Sequence, residues 1–415
     1  MLEVCTGALD TARIDRTAAP MSSPHVSSAP RPEPAVAGAD DRPLLSVHRL
    51  DMAHPGDLSA LAALFDEGTV RAADVVAVIG KTEGNGGVND FTRGYFTQTL
   101  MGLLAERTGR SVETLLRELP CVLSGGTEGV LSPHYVVFAR HGRLEAATPG
   151  ADTTGPAALA IGTALSAPLA TQDVGRWAHV VSVTGAVRVA MGDAGITRPD
   201  DVVFVQVKVP CVTAVRAQAA AAAGHAVLTA DANRSMAAAR AAGAFGVAVA
   251  LGELPEDDAL EAALLNDFER FSERASISCG VEVEADEVIV LGHSTRWRGE
   301  LRMGCAPMRD ALDLGAVARA LRPLGMTADP QVGVDEATRI AAVFVKCEPD
   351  RRGRVRGARH TMLDDTDINA QRHVRGAVGG LVAGVLGDTR LFVSGGAEHQ
   401  GPDGGGLVAV IARAS

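Results

Sequence analysis

The chain alternates short apolar runs with longer segments rich in small residues. Three of the runs lead into a lysine: residues 75–79 are followed by Gly80 and Lys81, residues 202–207 by Lys208, and residues 340–345 by Lys346. Continuous β-branched runs of this length are typical of buried strands. The sequence therefore predicts three buried strands that deliver lysines, and we expect the first of them to end at Gly80.

Strands and helices alternate along the rest of the chain. Further strands are expected at residues 121–123, 135–139, 178–190, 281–291, 391–393 and 407–412, and helices at residues 59–65, 91–106, 212–223, 235–251, 312–321 and 375–386. Asp90 is a suitable cap for the second helix, and the acidic run Asp364, Asp365 and Asp367 is expected to cap the last. This alternation indicates an α/β or α+β fold.

A short motif occurs three times. Ser-x-Gly-x-Glu stands at residues 124–128, 278–282 and 394–398, each copy downstream of one of the lysines. Each copy also has an arginine that we expect to open a helical segment, namely Arg93, Arg240 and Arg375. Repeated order of this kind predicts triplication of one Lys/Arg/Ser unit. We expect units at residues 44–143, 152–292 and 298–415, and an insertion near 253–266 in the second.

Such units can pack around a pseudo-threefold axis. Their equivalent side chains would then meet in one pocket containing three lysines, three arginines and three serines. A single Ser-Gly-Gly after a strand is usually only a turn, but its threefold recurrence favours a shared site. A ligand with threefold character would suit that site.

Composition limits the possible functions. The 415 residues are 47% hydrophobic and only 3% aromatic, so the core must consist mainly of Ala, Val and Leu. A net charge of −11 argues against nucleic acid and anionic membrane as partners. No apolar run is long enough to span a bilayer. The six cysteines are scattered without zinc spacing, which indicates reduced thiols and a cytoplasmic location.

The first 43 residues differ from the rest. They are rich in Ala, Pro, Ser and Asp, show no apolar periodicity and lack the hydrophobic region of a secretory signal. We expect a disordered N-terminal extension.

The lysines and serines suggest nucleophilic chemistry. A serine needs a base to take its proton, and a lysine serves only when it is uncharged. Glu83 and Glu348 lie two positions after Lys81 and Lys346, on the same face if the strands continue, and would keep those lysines charged. Lys208 has Pro210 at that position.

The sequence thus favours Lys208 as the base and Ser278 as the nucleophile. The glycines after each serine allow backbone N–H groups to hold an oxyanion. Forked arginine donors suit carbonyl oxygens. Gly80-Lys81-Thr82 invites comparison with a phosphate-binding loop, but Val75 stands where that motif needs glycine.

Longer motifs resemble the cyanuric acid hydrolase and barbiturase family of ring-opening amidohydrolases. They are Gly-Lys-Thr-Glu-Gly-Asn-Gly at residues 80–86 with Asn89 and Asp90, Ser-Gly-Gly-Thr-Glu-Gly-Val-Leu-Ser-Pro-His at 124–134, and His-Gln-Gly-Pro at 399–402. The resemblance implies three α/β repeats with helices outside a central β-barrel-like core, and one active site on the axis. It also implies that the Ser–Lys pair of the second repeat does the chemistry.

The resemblance further implies the residues that bind substrate. These are Arg93, Ser124, Gly125, Arg240, Cys279, Arg375, Ser394 and Gly395, with Lys81 and Lys346 nearby. Cys279 replaces the glycine of its sibling motifs, but its backbone N–H remains, so we expect no loss of function. Family members are typically homotetramers.

A structural divalent ion is also implied near the C-terminus. Its expected ligands are Glu348, Ala397, Gln400, Gly401, Pro402 and Gly405, mostly through backbone carbonyls. Oxygen donors of this kind suit Mg²⁺ or Ca²⁺.

The substrate implied is a small planar cyclic imide. Residues 127–134 follow the pattern of the cyanuric acid branch, Thr-Glu-Gly-Val-Leu-Ser-Pro-His, and the barbiturase branch has Thr-Asp-Gly-Val-Ile-Ser-Pro-His. Gln371, one helical turn before Arg375, could distinguish a ring nitrogen from a carbon. Barbituric acid remains the alternative substrate, and a non-catalytic azine sensor the alternative class of protein.

Overall fold

The computed structural model describes residues 40–144 and 156–414. The expected disordered extension lies almost wholly outside the described residues, as does the expected boundary at residue 152. Within the described residues, no helix is both long and apolar enough to cross a membrane.

The first part of the chain forms sheet 1. Its strands are β1 (Leu44–Asp51), β2 (Val75–Thr82), β3 (Cys121–Gly125) and β4 (His134–His141), in the order β1-β4-β2-β3, with helices α1 (Ser59–Asp66), α2 (Phe91–Thr108) and α3 (Val112–Leu116). Asp90 caps α2 as predicted, accepting a hydrogen bond from the Thr92 amide. β2 does not stop at Gly80, because Gly80, Lys81 and Thr82 continue the parallel ladder with β3.

The middle of the chain forms sheet 2. Its strands are β5 (Ala158–Leu165), β6 (Val202–Pro210), β7 (Ala275–Gly280) and β8 (Glu287–Ser294), in the order β5-β8-β6-β7, with helices α4 (Trp177–Asp193), α5 (Ala214–Ala222) and α6 (Ala232–Ala250). The strand predicted at residues 178–190 was wrong, because α4 occupies them. Val180, Val183 and Val187 are buried at helical spacing, whereas Val181 and Val189 face solvent.

The long strand predicted at residues 281–291 was also wrong in its first half. Residues 281–286 form the turn between β7 and β8. The fully buried Asp286 fixes this turn, accepting hydrogen bonds from the Ser182 hydroxyl at 2.7 Å and pairing with the His179 ring at 3.0 Å. Both partners lie on α4, so that helix holds the turn in place.

The last part of the chain forms sheet 3. Its strands are β9 (Leu301–Met308), β10 (Ile340–Cys347), β13 (Phe392–Gly395) and β14 (Gly406–Arg413), in the order β9-β14-β10-β13, and a small hairpin joins β11 (Arg354–Val355) to β12 (Ala358–Arg359). The helices are α7 (Leu314–Leu321), α8 (Val334–Ala337) and α9 (Ala370–Leu386). Asn369, not the predicted acidic run, caps α9 through the Gln371 amide. Asp365 instead accepts from the amides of Asp367 and Ile368 and so closes the preceding turn.

The three sheets share one strand order: the first strand pairs with the last, which pairs with the second, which pairs with the third. They meet at a cluster of phenylalanines. The Phe344 ring of sheet 3 stacks on Phe204 of sheet 2 at 5.3 Å and on Phe138 of sheet 1 at 6.5 Å between centroids. One shared apolar core thus draws a face from each sheet.

No closed barrel forms among the described strands, contrary to the barrel-like core that the resemblance implied. At the edge of sheet 1, side chains of sheet 2 satisfy backbone groups of β3 in place of another strand. Lys208 donates to the Leu123 carbonyl at 2.9 Å, and Glu287 accepts from the Cys121 amide at 2.9 Å. The sheets therefore join through side chains as well as through their core, without a continuous backbone ladder.

Candidate active site

Each predicted lysine stands directly beside its predicted serine on a neighbouring parallel strand. Lys81 pairs in register with Ser124, Lys208 with Ser278, and Lys346 with Ser394. Register partners project their side chains from the same face of a sheet. The three buried strands thus place three equivalent lysine–serine pairs at the ends of three sheets.

The serines of all three pairs line one cavity of about 610 Å³, whereas the lysines do not belong to its lining. Its lining includes every residue predicted to bind substrate, namely Arg93, Ser124, Gly125, Arg240, Cys279, Arg375, Ser394 and Gly395, together with Ser278 and Gln371. The hydroxyl oxygens of Ser278 and Ser394 are only 3.4 Å apart. The structure therefore brings the serines and arginines predicted from the repeated motif to one cavity, and their roles in substrate binding stay a prediction.

The three lysines are almost fully buried, and two of them contact their serines. Lys81 donates to the Ser124 hydroxyl and to the Gly125 carbonyl, both at 3.1 Å. Lys346 donates to the Ser394 hydroxyl at 3.0 Å and to the Gly395 carbonyl at 2.9 Å. Lys208 differs, because its ammonium group contacts the Glu282 carboxylate at 2.6 Å.

Contrary to the prediction, Lys208 has a carboxylate neighbour, whereas Lys81 and Lys346 are not paired with the glutamates that follow them. Glu83 faces solvent, and Glu348 forms its ion pair with Arg351 at 2.7 Å, so neither neutralises its neighbouring lysine. The carboxylate beside Lys208 comes instead from the turn after β7. Neighbours in sequence were therefore a poor guide to neighbours in space.

Burial lowers the pKa values of the other two lysines. Burial, and then the positive charge of Arg240, lowers the pKa of Lys346 to about 7. Burial, and then Arg375, lowers the pKa of Lys81 well below its usual range. Both amines are therefore much easier to deprotonate than an exposed lysine.

The glutamate that ends each motif holds an arginine from a different sheet. Arg375 grips Glu128 at 2.6 and 2.9 Å, and Arg240 grips Glu398 twice at 2.7 Å. The third pair joins Arg93 to Glu282 at 2.8 Å. Sheet 1 thus holds the arginine of sheet 3, sheet 3 that of sheet 2, and sheet 2 that of sheet 1.

These ion pairs keep the arginine guanidinium groups at the cavity wall. Burial alone would raise the pKa of Glu282, but Lys208 and Arg93 outweigh burial and lower it to about 2. The repeated Ser-x-Gly-x-Glu motif includes the three glutamates, but its pattern did not indicate what they do. Their only signal was their recurrence at the fifth position of each copy.

The arginines lie on helices, although not all at helix starts. Arg93 is in the first turn of α2, whereas Arg240 and Arg375 lie inside α6 and α9. Gln371 lies in the first turn of α9 and accepts a hydrogen bond from the Gly396 amide at 2.7 Å. Gln371 is thus fixed against the third serine turn, at the cavity wall where the sequence placed it.

The positions expected to bind a divalent ion lie together beside β14. The Glu348 amide donates to the Gly405 carbonyl at 3.2 Å, and burial, reinforced by the charge of Glu398, raises the pKa of the Glu348 carboxyl. The Gln400 side chain is already engaged, because it accepts from the Ile277 amide at 2.6 Å.

Within the described residues, no cluster of three His, Cys, Asp or Glu side chains could hold a metal. Glu348 is the one acidic side chain among these positions, and a carboxylate combined with backbone carbonyl oxygens is a donor set that suits Mg²⁺ or Ca²⁺.

Residues 46–413 match the family model described as amidohydrolase ring-opening protein. The chain is 47% identical over 371 residues to the cyanuric acid amidohydrolase of Azorhizobium caulinodans, covering 89% of this chain and 98% of that protein. It is 49% identical over 369 residues to the cyanuric acid amidohydrolase of a Methylobacterium species, covering 88% and 96%.

Solved structures agree with these sequence matches. The fold matches one cyanuric acid hydrolase with a TM-score of 0.84 at 43% identity, and the enzyme from A. caulinodans with a TM-score of 0.80 at 46% identity. Each match covers 90% of this chain and 100% of the solved chain.

Proposed function

From the premise that the chain belongs to the family of ring-opening amidohydrolases, we infer that it hydrolyses cyanuric acid. The relatives matched over nearly their whole length carry the name cyanuric acid amidohydrolase. One observation supports this substrate most directly: three serines and three arginines line one cavity. Cyanuric acid presents three identical carbonyl groups to such a wall, and barbituric acid replaces one ring N–H with CH₂.

We propose that the threefold correspondence extends to the whole chain, as three repeat units at residues 44–143, 152–292 and 298–415 around a pseudo-threefold axis. Support comes from the common strand order and from the three lysine–serine register pairs. In this arrangement each unit contributes one serine and one arginine to a ring carbonyl.

The proposed reaction is nucleophilic. Ser278 Oγ attacks a ring carbonyl carbon while Lys208, as the free amine, takes the hydroxyl proton. The backbone N–H groups of Cys279 and Gly280 hold the oxyanion, and the ring C–N bond breaks as its nitrogen gains a proton from Lys208. Water then hydrolyses the acyl-enzyme, giving 1-carboxybiuret, which loses CO₂ to form biuret.

The register of β6 and β7 supports this pair, because it places Lys208 beside Ser278. The ion pair between Lys208 and Glu282 must open before the lysine can act as a base. The distance between Lys208 Nζ and Glu282 Oε1 is 2.6 Å, as in charge-assisted hydrogen bonds.

The test compares three matched variants. Ser278→Ala is expected to abolish turnover while the protein still binds cyanuric acid. Ser124→Ala and Ser394→Ala remove equivalent hydroxyls and are expected to weaken binding more than they slow the chemical step. Turnover is followed by loss of ring absorbance, and ligand binding by calorimetry. An active Ser278→Ala with an inactive Ser394→Ala would move the nucleophile to sheet 3.

Barbituric acid is the competing substrate. When the two compounds are incubated separately with the enzyme, we expect the ring absorbance of cyanuric acid to fall and that of barbituric acid to change little. Gln371 is the proposed specificity residue, because its amide lies at the third serine turn and can bond a ring N–H. Gln371→Leu should reduce the preference for cyanuric acid over barbituric acid.

Three further properties belong to this proposal. We expect a homotetramer, and a cytoplasmic location is supported by the free thiols of the described cysteines. We also expect Mg²⁺ or Ca²⁺ beside Glu348, with the backbone oxygens of residues 397–405. Such an ion would neutralise a buried carboxylate and hold the loop in place.

A further inference from the structure

The three motif glutamates do not hold their arginines in the same way. Glu128 and Glu398 each use both carboxylate oxygens on one guanidinium group. Glu282 uses only Oε1, which contacts Arg93 Nε at 2.8 Å and Lys208 Nζ at 2.6 Å. Its Oε2 is buried and has no hydrogen-bond partner among the described residues. The middle glutamate therefore bridges an arginine and a lysine and leaves one oxygen unused.

A buried carboxylate oxygen without a hydrogen-bond partner is unfavourable, because it has given up its hydrogen bonds to water and no protein donor replaces them. Arg93 has the means to satisfy it. In place of a second contact with Glu282, its guanidinium group donates to the Gly87 carbonyl at 3.0 Å and lies 3.3 Å from Asp90. A small rotation of the Glu282 carboxylate toward Arg93 would give the two-oxygen contact that its siblings already have.

Lys208 would lose its counter-ion if Oε1 moved away from Lys208 Nζ in that rotation. The titratable groups that surround Lys208 and Glu282 are Arg93 and Asp90 from α2, Glu287 from β8, Cys121 from β3, Cys279 from β7 and Cys211 after β6. Burial raises the pKa of Glu287 to about 8 and raises the pKa values of Cys121 and Cys279, so these three groups are uncharged near neutral pH.

Two further acidic groups, Cys211 and Asp90, lie beside Lys208 and Arg93 respectively. A hydrogen bond with Cys279 lowers the pKa of Cys211, and Asp90 is engaged with its own helix and with Arg93. Glu282 is the one carboxylate for which a direct contact with Lys208 is found among the described residues. The position of Glu282 therefore determines whether a carboxylate contacts Lys208.

We propose that Glu282 is a positioning residue that holds Lys208 as an ammonium ion in the free enzyme. In the substrate complex it turns both oxygens onto Arg93 and releases the lysine to Ser278. The ammonium then gives its proton to water in the cavity and becomes the amine that the reaction requires. This inference rests on the proposed roles of Lys208 and Ser278.

The experiment compares Glu282→Gln with Glu128→Gln. Both variants weaken one glutamate–arginine pair, but only the first removes a carboxylate that contacts a lysine. The pH dependence of kcat/KM for cyanuric acid is measured from about pH 5 to about pH 10, because its acid limb reports an essential base in the free enzyme. We expect Glu282→Gln to move the acid limb to lower pH by about one unit, a tenfold relative gain at the acid end.

Glu128→Gln is expected to raise KM and leave the acid limb where it is. Identical limbs in the parent and Glu282→Gln would overturn the inference, as would equal shifts in the two variants. If Glu282→Gln does not fold, Glu282→Asp provides the same test, since its shorter side chain draws the charge back and should shift the limb less in the same direction.

The two hypotheses fail in different ways. A fully active Ser278→Ala would reject the proposed nucleophile whatever Glu282 does. An inactive Ser278→Ala, combined with an unmoved acid limb in Glu282→Gln, would reject only the role of Glu282.

Discussion

Glu287 is a buried carboxyl group whose ionisation should make the protein less stable as pH rises. It is 9% exposed, lies directly across the β6–β8 ladder from Lys208, and accepts a hydrogen bond from the Cys121 amide. Burial raises its pKa from 4.5 to about 8, although the Cys121 amide and Lys208 oppose that shift. Glu287→Gln keeps a carbonyl acceptor for the Cys121 amide and removes the ionisable group.

The sign of the effect follows from proton binding. Between about pH 4.5 and about pH 8 the folded protein keeps a proton on Glu287 that the unfolded chain has released. Stability must therefore fall as pH rises through this window and become level above it. The difference between the two pKa values limits this loss in the free energy of unfolding to about 5 kcal/mol. Because water and structural relaxation reduce such penalties, we expect about 2 kcal/mol.

The assay is urea unfolding at about pH 5 and about pH 9, the two sides of the Glu287 window. Glu287→Gln should match the parent at the lower pH and exceed it by about 2 kcal/mol at the higher pH. Glu284→Gln is the matched control, because the Glu284 side chain is 78% exposed in the neighbouring turn. A Glu287→Gln advantage that is the same at both pH values would refute this account of burial.

Three other predictions concern packing and the cavity wall. Phe344→Ala removes the ring on which sheets 1 and 2 converge and should cost about 3–5 kcal/mol in urea unfolding; a loss under about 1 kcal/mol would show that the core collapses around the gap. Gly162→Ala would put a Cβ atom 1.9 Å from the Ala190 carbonyl oxygen, so β5 and α4 must separate. We expect a clear fall in Tm, whereas Gly185→Ala on α4, with open space around it, should leave Tm unchanged or slightly raised; equal Tm values for the two variants would contradict this. Arg375→Lys loses the two-oxygen grip on Glu128 and should raise KM for cyanuric acid about tenfold, and an unchanged KM would show that this arginine does not bind substrate.

The lysine and serine positions could be predicted because local pattern determines them. A β-branched run before Lys81 and a short apolar run before Ser124 are enough to predict two buried strands. Parallel pairing then brings their ends together. The same kind of run failed at residues 178–190. There the β-branched residues follow a helical spacing, and the choice between strand and helix depended on packing that the sequence does not display.

The contacts of the motif glutamates could not have been predicted in this way. Arg93 and Glu282 are 189 positions apart, and Arg375 and Glu128 are 247 apart. Such pairs depend on how the three sheets meet, which no local pattern records. The prediction that Lys208 lacks a carboxylate neighbour was wrong for the same reason, since Glu282 lies in the turn that follows β7.

The exchange of arginine and glutamate partners among the sheets limits how the protein can be rebuilt. A chimera that takes one third of its chain from a relative inherits a guanidinium group meant for one host segment and a carboxylate meant for another. The arginine and the glutamate of the transferred third must therefore both find matching partners in the other two thirds. A charge swap confined to one third should fail unless matching swaps are made in the other two, so covariation at these six positions is the pattern to seek among natural variants.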